Sequence, residues 1–96
     1  MKILADTHIL IWSLMGNDKL SDSARNIILD PNNTIYYSLF SIWEIAIKVN
    51  SHPDAFSFST EDFDRILLAQ AKSEGMIFLT HDTRIKYYGE NCVWEV

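Results

Sequence analysis

Two short apolar segments of the chain each lead into an aspartate. Residues 2–5 run directly into Asp6, and residues 76–80 run through His81 into Asp82. Helix-like sequence separates the two segments, a pattern typical of buried parallel strands. Because ligands of open parallel sheets bind beyond the carboxyl ends of the strands, we expect both carboxylates in one crevice. Water, a metal ion or a cationic substrate must compensate the two negative charges there.

Two more acids are expected at the same edge of the sheet. Glu44 lies in the first turn of a helix predicted to open at Ser41, and Asp64 lies in the first turn of a helix predicted from Asp62. Helices that follow parallel strands begin at the carboxyl edge, so all four acids can converge on one pocket. Four carboxylates without a cysteine or histidine pair are hard ligands, which suit Mg²⁺ or Mn²⁺ and not Zn²⁺. Such a site activates a water molecule and neutralises charge that builds up on a phosphate.

Each acid also has a purely structural explanation. Asp6 can favour the dipole of the helix that follows it, and Asp82 can cap the turn that follows it. Glu44 is the fourth residue of a capping box that opens at Ser41. Asp64 occupies a first helical turn, where acids favour the helix dipole. Their joint placement at one sheet edge favours a shared site over four separate caps.

Two histidines flank the acids that close the strands. His8 follows Asp6 by two residues, and His81 directly precedes Asp82. We expect them to lie beside the site and not to be ligands. The sequence has no Ser/His/Asp set, Gly-rich phosphate loop or CxxC motif, so other common catalytic arrangements are not indicated.

Strand-like segments alternate with helical ones, which predicts one α/β domain over residues 1–96 with a mainly parallel sheet. Thr7 is the predicted cap of the first helix, which should be largely buried. The strands are predicted at residues 2–5, 34–38, 76–80 and 92–96, and the helices at 8–15, 22–29, 41–49 and 62–74, with a loop at 50–54 and a helical turn at 85–88. The predicted core face of the third helix consists of Ile42, Ile45, Ala46 and Val49.

Composition narrows the classes of function. The chain has 96 residues and a formal net charge of −5, which counts against a simple electrostatic binder of nucleic acid. The negative charge is compatible with a metal enzyme, because a bound ion neutralises the acids around it. Such acids lower the formal net charge without repelling an anionic substrate. No apolar run is long enough to span a membrane. Cys92 is the single cysteine, so an internal disulfide is impossible and a reducing, cytoplasmic setting is expected.

Four segments carry a distinctive order of residues. They are Asp6-Thr7-His8, residues 41–48 (Ser-Ile-Trp-Glu-Ile-Ala-Ile-Lys), residues 63–71 (Phe-Asp-Arg-Ile-Leu-Leu-Ala-Gln-Ala) and Leu79-Thr80-His81-Asp82. In residue identity and order these motifs resemble the PIN domain, and more narrowly the VapC-type toxins of bacterial toxin–antitoxin pairs. The resemblance extends along nearly the whole chain.

The resemblance implies a three-layer α/β/α fold and a Mg²⁺- or Mn²⁺-dependent ribonuclease that a VapB-type antitoxin inhibits. It also implies which residues form the site. The catalytic and metal-binding acids are Asp6, Glu44, Asp64 and Asp82, with Thr7 and Thr80 as polar neighbours. We expect Thr7, Thr80 and Arg65 as possible contacts to the substrate. Apart from the resemblance, Arg65, Lys48 or Arg84 could help to hold the RNA backbone by its charge.

The chain departs from the family between the second and third motifs. In the family a helix, an edge strand and another helix separate them, whereas here residues 59–62 run almost directly into Phe63-Asp64-Arg65. We therefore expect a shortened PIN-like domain that lacks an edge strand, with either Asp64 or Asp62 as the third acid. The segment at 34–38 then becomes a sheet edge, which favours a homodimer or pairing with a partner peptide.

Three functions follow from these observations. The first is hydrolysis of RNA phosphodiester bonds by a toxin under the control of an antitoxin. The second is a catalytically impaired PIN-like module that sequesters an antitoxin or dimerises. The third is a phosphatase-like domain with Asp6 as nucleophile, which we rank low because that chemistry calls for a second aspartate where the chain has His8.

Overall fold

A computed structural model of the chain describes residues 1–49, 60–85 and 92–96. These residues form a mixed α/β structure around one sheet of four parallel strands, in the order β2-β1-β3-β4. The strands are β1 (Lys2–Ala5), β2 (Thr34–Tyr37), β3 (Ile77–Thr80) and β4 (Val93–Glu95). The helices are α1 (Thr7–Met15), α2 (Asp22–Leu29), α3 (Leu39–Val49) and α4 (Thr60–Glu74). The predicted α/β class is confirmed, and each predicted strand agrees to within one residue at either end.

Helices cover both faces of the sheet. Successive strand residues point to opposite faces, so β1 contributes to two core clusters. Ile3 and Ala5 pack with Ile9 of α1 and Ala24 of α2. Leu4 packs on the other side with residues of α4. The central strands are therefore held rigidly between two apolar layers, which places the residues that follow them in defined positions.

The first helix is capped by a different residue from the one predicted. Asp6 is the N-cap of α1, and its Oδ1 accepts a hydrogen bond from the backbone of Ile9 at 2.8 Å. The prediction of Thr7 as the cap is wrong, because helical geometry already begins at Thr7. The helix ends at Gly16, whose positive φ of 60° suits a residue without a Cβ atom. Only its N-terminal half is buried, since Leu14 and the residue after it are exposed.

The third helix begins earlier than predicted. Ser38 precedes α3, and its side-chain oxygen accepts a hydrogen bond from the backbone of Phe40 at 3.1 Å. Ser41 consequently lies inside the helix and cannot open a capping box with Glu44. Both of these residues are buried, so they turn a polar face towards the interior of the protein. The structural explanation of Glu44 by a capping box is thus removed.

The predicted core face of α3 is correspondingly wrong. Ile42 and Ala46 are exposed, and Ile45 is only partly buried. Ser41 and Glu44 occupy the interior side that the pattern had assigned to these apolar residues. The side chain of Val49, the loop predicted at 50–54 and most of the turn predicted at 85–88 lie outside the described residues.

Strand β2 forms one edge of the described sheet. Its hydrogen-bonded neighbour is β1, and Tyr36 and Tyr37 are 37% and 39% exposed. The position of this strand at an edge is therefore as expected. Exposed apolar side chains continue into α3, where Leu39, Phe40 and Ile42 face solvent. Among the described residues, no helix is both long and apolar enough to cross a membrane.

Candidate active site

The carboxyl ends of β1 and β3 bring Asp6 and Thr80 together. The backbone N–H of Asp6 donates to the carbonyl of Leu79 at 2.9 Å, which continues the parallel pairing by one residue. The Thr80 hydroxyl then donates to Oδ2 of Asp6 at 2.6 Å. Since Ile9 donates to Oδ1, both oxygens of this buried carboxylate are held in place. Thr80 is thus a polar neighbour of the first acid, as the resemblance implies.

His81 lies against the same carboxylate. Its Nδ1 is 3.4 Å from Oδ2 of Asp6, and its ring makes edge contacts with the rings of Trp12 and His8 at centroid distances of 4.7 and 4.9 Å. The hydrogen bond to Asp6 raises the pKa of His81, and the charges of nearby aspartates add to this effect. Burial lowers the pKa of His8, helped by the neighbouring His81. Both histidines therefore lie beside the site, as predicted.

Glu44 is 1% exposed, on the inner face of α3. Its Oε2 lies 2.8 Å from Nζ of Lys48, one helical turn further on. Neither carboxylate oxygen accepts a well-oriented hydrogen bond from the described residues. A buried carboxylate with so little compensation is costly unless another cation or donor approaches it.

Two hydroxyl groups tie α1 to α3 beside Glu44. The hydroxyl of Thr7 donates to Oγ of Ser41 at 3.1 Å, and both residues are buried. Thr7 was expected near the site from the resemblance, whereas Ser41 had been assigned only to a cap. The spacing of Ser41 and Glu44, three residues apart, is the signal that could have placed both on one helix face.

The surroundings of Asp64 raise the pKa of its carboxyl group. Burial raises the pKa of Asp64 to about 7, and the negative charges of Asp6, Glu44 and Asp82 contribute further to the rise. These charges act on Asp64 in addition to its burial. Asp62 is only half-buried on the same helix. Of the two alternatives for the third acid, Asp64 is therefore the buried one.

Asp82 is held by the arginine two residues later. Nη2 and Nε of Arg84 lie 2.8 and 3.1 Å from its two carboxylate oxygens. These hydrogen bonds lower the pKa of Asp82. The backbone N–H of Asp82 donates to the Thr80 hydroxyl at 3.0 Å, so this one hydroxyl links two of the acids. Arg65, a predicted substrate contact, is exposed near the start of α4.

The donor set fits a divalent cation of the Mg²⁺ or Mn²⁺ type. All four acids offer carboxylate oxygens, three of them are buried, and burial together with the charges of the other acids raises the pKa of Asp64. As the described side chains stand, no three acids or histidines converge to coordinating distance. Two of the four carboxylates instead contact their own cations, Lys48 and Arg84. Binding of one ion by all four acids would therefore require these side chains to move.

Comparisons of the chain with models of protein families, with curated proteins and with solved structures gave no significant match. The site combines three buried carboxylates and a partly exposed one with the hydroxyls of Thr80, Thr7 and Ser41 and with two partly exposed cations, Lys48 and Arg84. This combination can bind a hard cation inside and an anionic group outside.

Proposed function

We propose that the protein is a shortened PIN-like endoribonuclease, similar to VapC-type toxins, which hydrolyses RNA phosphodiester bonds with Mg²⁺ or Mn²⁺. The observation that carries this proposal is the set of three buried acids, Asp6, Glu44 and Asp64, together with the Thr80 hydroxyl that links Asp6 to Asp82. Burial raises the pKa of Asp64, with the charges of the other three acids adding to the rise, and the buried Glu44 is paired with Lys48. A protein keeps such an arrangement at a cost in stability, so a ligand that relieves it is expected.

Asp6, Glu44, Asp64 and Asp82 would hold the ion. When bound, it supplies a water of lowered pKa and offsets charge on the phosphate. The chain's own groups set the geometry around it. The Thr80 hydroxyl and the N–H of Ile9 orient Asp6. Arg84 orients Asp82, and its exposed guanidinium lies where a phosphate would approach.

The proposal includes the partners and location that the resemblance suggests. A VapB-type antitoxin would inhibit the enzyme, RNA would be the substrate, and the cytoplasm would be the compartment. An antitoxin that is basic where it meets the site would complement the net charge of −5.

A cleavage assay tests this function. The purified protein should cut single-stranded or structured RNA with Mg²⁺ or Mn²⁺ and should be inactive in a chelator. Asp6→Asn should remove the activity, whereas Asp18→Asn, at an exposed position outside the site, should not. Cutting that persists in the chelator, or in Asp6→Asn, would contradict the proposal.

A second function is favoured by one observation, the exposed apolar surface on β2 and the start of α3. Tyr36, Tyr37, Leu39 and Ile42 are all exposed there. Such a surface suits a catalytically impaired module that binds an antitoxin or a second copy of itself. Binding of Mn²⁺ without cleavage of any RNA would favour this second function.

A further inference from the structure

The structure already provides one cation for the acidic pocket, the ammonium group of Lys48. Its Nζ lies 2.8 Å from the buried Oε2 of Glu44. Because the side chain of Lys48 is half exposed, its ammonium lies between this buried carboxylate and solvent.

The two partners of this ion pair differ greatly in their surroundings. The side chain of Glu44 is 1% exposed, while that of Lys48 is 47% exposed. Glu44 is fixed by the packing of α3, whereas Lys48 reaches it from solvent on a flexible four-carbon chain. Lys48 can consequently leave without any movement of the backbone, but Glu44 cannot.

We propose that Lys48 is a displaceable counter-ion of Glu44, which a divalent cation replaces and which then binds a backbone phosphate of the RNA. This inference rests on the proposed metal site and adds an order to its assembly. A divalent ion at Glu44 neutralises the carboxylate and repels the ammonium of Lys48. Because Lys48 lies one helical turn from Glu44, its ammonium stays close to the site. An anionic phosphate is the group that a freed ammonium at that position attracts.

The exchange makes metal binding and RNA binding mutually reinforcing. Without the ion, Lys48 is engaged with Glu44 and adds little to the attraction of phosphate. With the ion, one more positive charge faces the substrate. By linkage, RNA must then also tighten the binding of the ion by the same factor.

Thermal unfolding with Mn²⁺ tests the displacement. Lys48→Met removes the competitor of the metal, so Mn²⁺ should raise the melting temperature of this variant more than that of the wild type. Lys48→Arg, which keeps a charge, should behave like the wild type. Lys19→Met removes an exposed lysine outside the site and should leave the metal-induced rise unchanged.

Binding of a fluorescein-labelled single-stranded RNA tests the second part of the proposal, that the displaced Lys48 binds a backbone phosphate. Ca²⁺ serves as the ion, since it takes the same oxygen ligands. In Ca²⁺, Lys48→Met should bind the RNA several-fold more weakly than the wild type, with a salt slope smaller by about 0.7 for one lost phosphate contact. In a chelator the two proteins should bind equally weakly.

If Lys48→Met does not fold, NMR of the lysine side chains of the wild type tests the displacement independently. In the wild type, the Lys48 signal should shift on addition of Ca²⁺ while that of Lys19 stays in place. A Lys48 signal that does not shift, or an equal metal-induced rise in wild type and Lys48→Met, would overturn the exchange while leaving the metal site intact. No metal-induced change in the wild type at all would overturn the proposed function and this inference together.

Discussion

The hydroxyl of Thr80 joins two acids of the site through a single oxygen. It donates to Oδ2 of Asp6 at 2.6 Å and accepts from the backbone N–H of Asp82 at 3.0 Å. Thr80 is fully buried at the end of β3, next to the first residue after β1. The parallel pairing of β1 and β3 thus sets the distance between the acids that close the two strands.

Removing this hydroxyl should destabilise the protein. Thr80→Val keeps the shape of the side chain but leaves a buried carboxylate oxygen and a backbone N–H without this partner. We expect a loss of about 1–3 kcal/mol in the free energy of unfolding, measured by urea denaturation. Thr80→Ser retains the hydroxyl and should lose much less. A Thr80→Val variant as stable as the wild type would contradict a stabilising role of the hydroxyl.

The raised pKa of Asp64 should make stability depend on pH. Between its ordinary value of 3.8 and about 7, native Asp64 holds a proton that the unfolded chain has released. The native state then binds more protons, so the free energy of unfolding falls as pH rises through this range. Asp64→Asn removes this contribution.

Urea denaturation of the metal-free protein at pH 5 and pH 7.5 checks this expectation. The wild type should lose more stability between the two pH values than Asp64→Asn does. His81, whose pKa is also raised, contributes a loss of the same sign in both proteins. The charge of Asp64 is one cause of that rise, so the difference reports Asp64 together with its coupling to His81. Identical pH profiles would show that Asp64 titrates normally.

RNA cleavage by two neighbouring variants distinguishes the candidates for the third acid. Asp64 is buried, whereas Asp62 is half-buried on the same helix. Asp64→Asn should abolish cleavage and Asp62→Asn should reduce it only mildly. The opposite ranking would mean that Asp62 takes the role that we assign to Asp64.

Strand β2 should promote association. Its outer backbone groups lie at the sheet edge, and Tyr37 adds an exposed ring. We expect a dimer or larger species in light scattering, and Tyr37→Lys should weaken it. Leu14→Lys introduces the same charge at an exposed apolar position on α1 and should leave association unchanged. A monomeric wild type at high concentration, with slow amide exchange in β2, would show that another segment covers the edge.

Much of this architecture is predictable because local pattern and tertiary environment agree. The apolar runs of β1 and β3 predict central strands, and the acids that follow them are where a parallel sheet places ligand-binding groups. Ser21 is of a residue type that favours helix N-caps, and it caps α2, where its Oγ accepts from the backbone of Ala24 at 3.1 Å.

The third helix is different because its buried face is polar. Apolar periodicity points Ile42 inward, but Ser41 and Glu44 occupy the interior instead. Hydrophobic periodicity alone does not predict a helix whose buried face carries a carboxylate. The pairing of Glu44 with Lys48 follows from that orientation, so it could be found only once the face of α3 was known.

In the proposed function, the four acids share one divalent-cation site. Titration of the metal-free protein with Mn²⁺, followed by calorimetry and by the melting temperature, measures this site. We predict saturable binding that stabilises the wild type, by about 2.7 kcal/mol at a hundredfold excess over Kd, and that is lost in Asp6→Asn and Asp82→Asn but retained in Asp18→Asn. Absence of binding at millimolar Mn²⁺, or equal binding by all four proteins, would contradict the shared site.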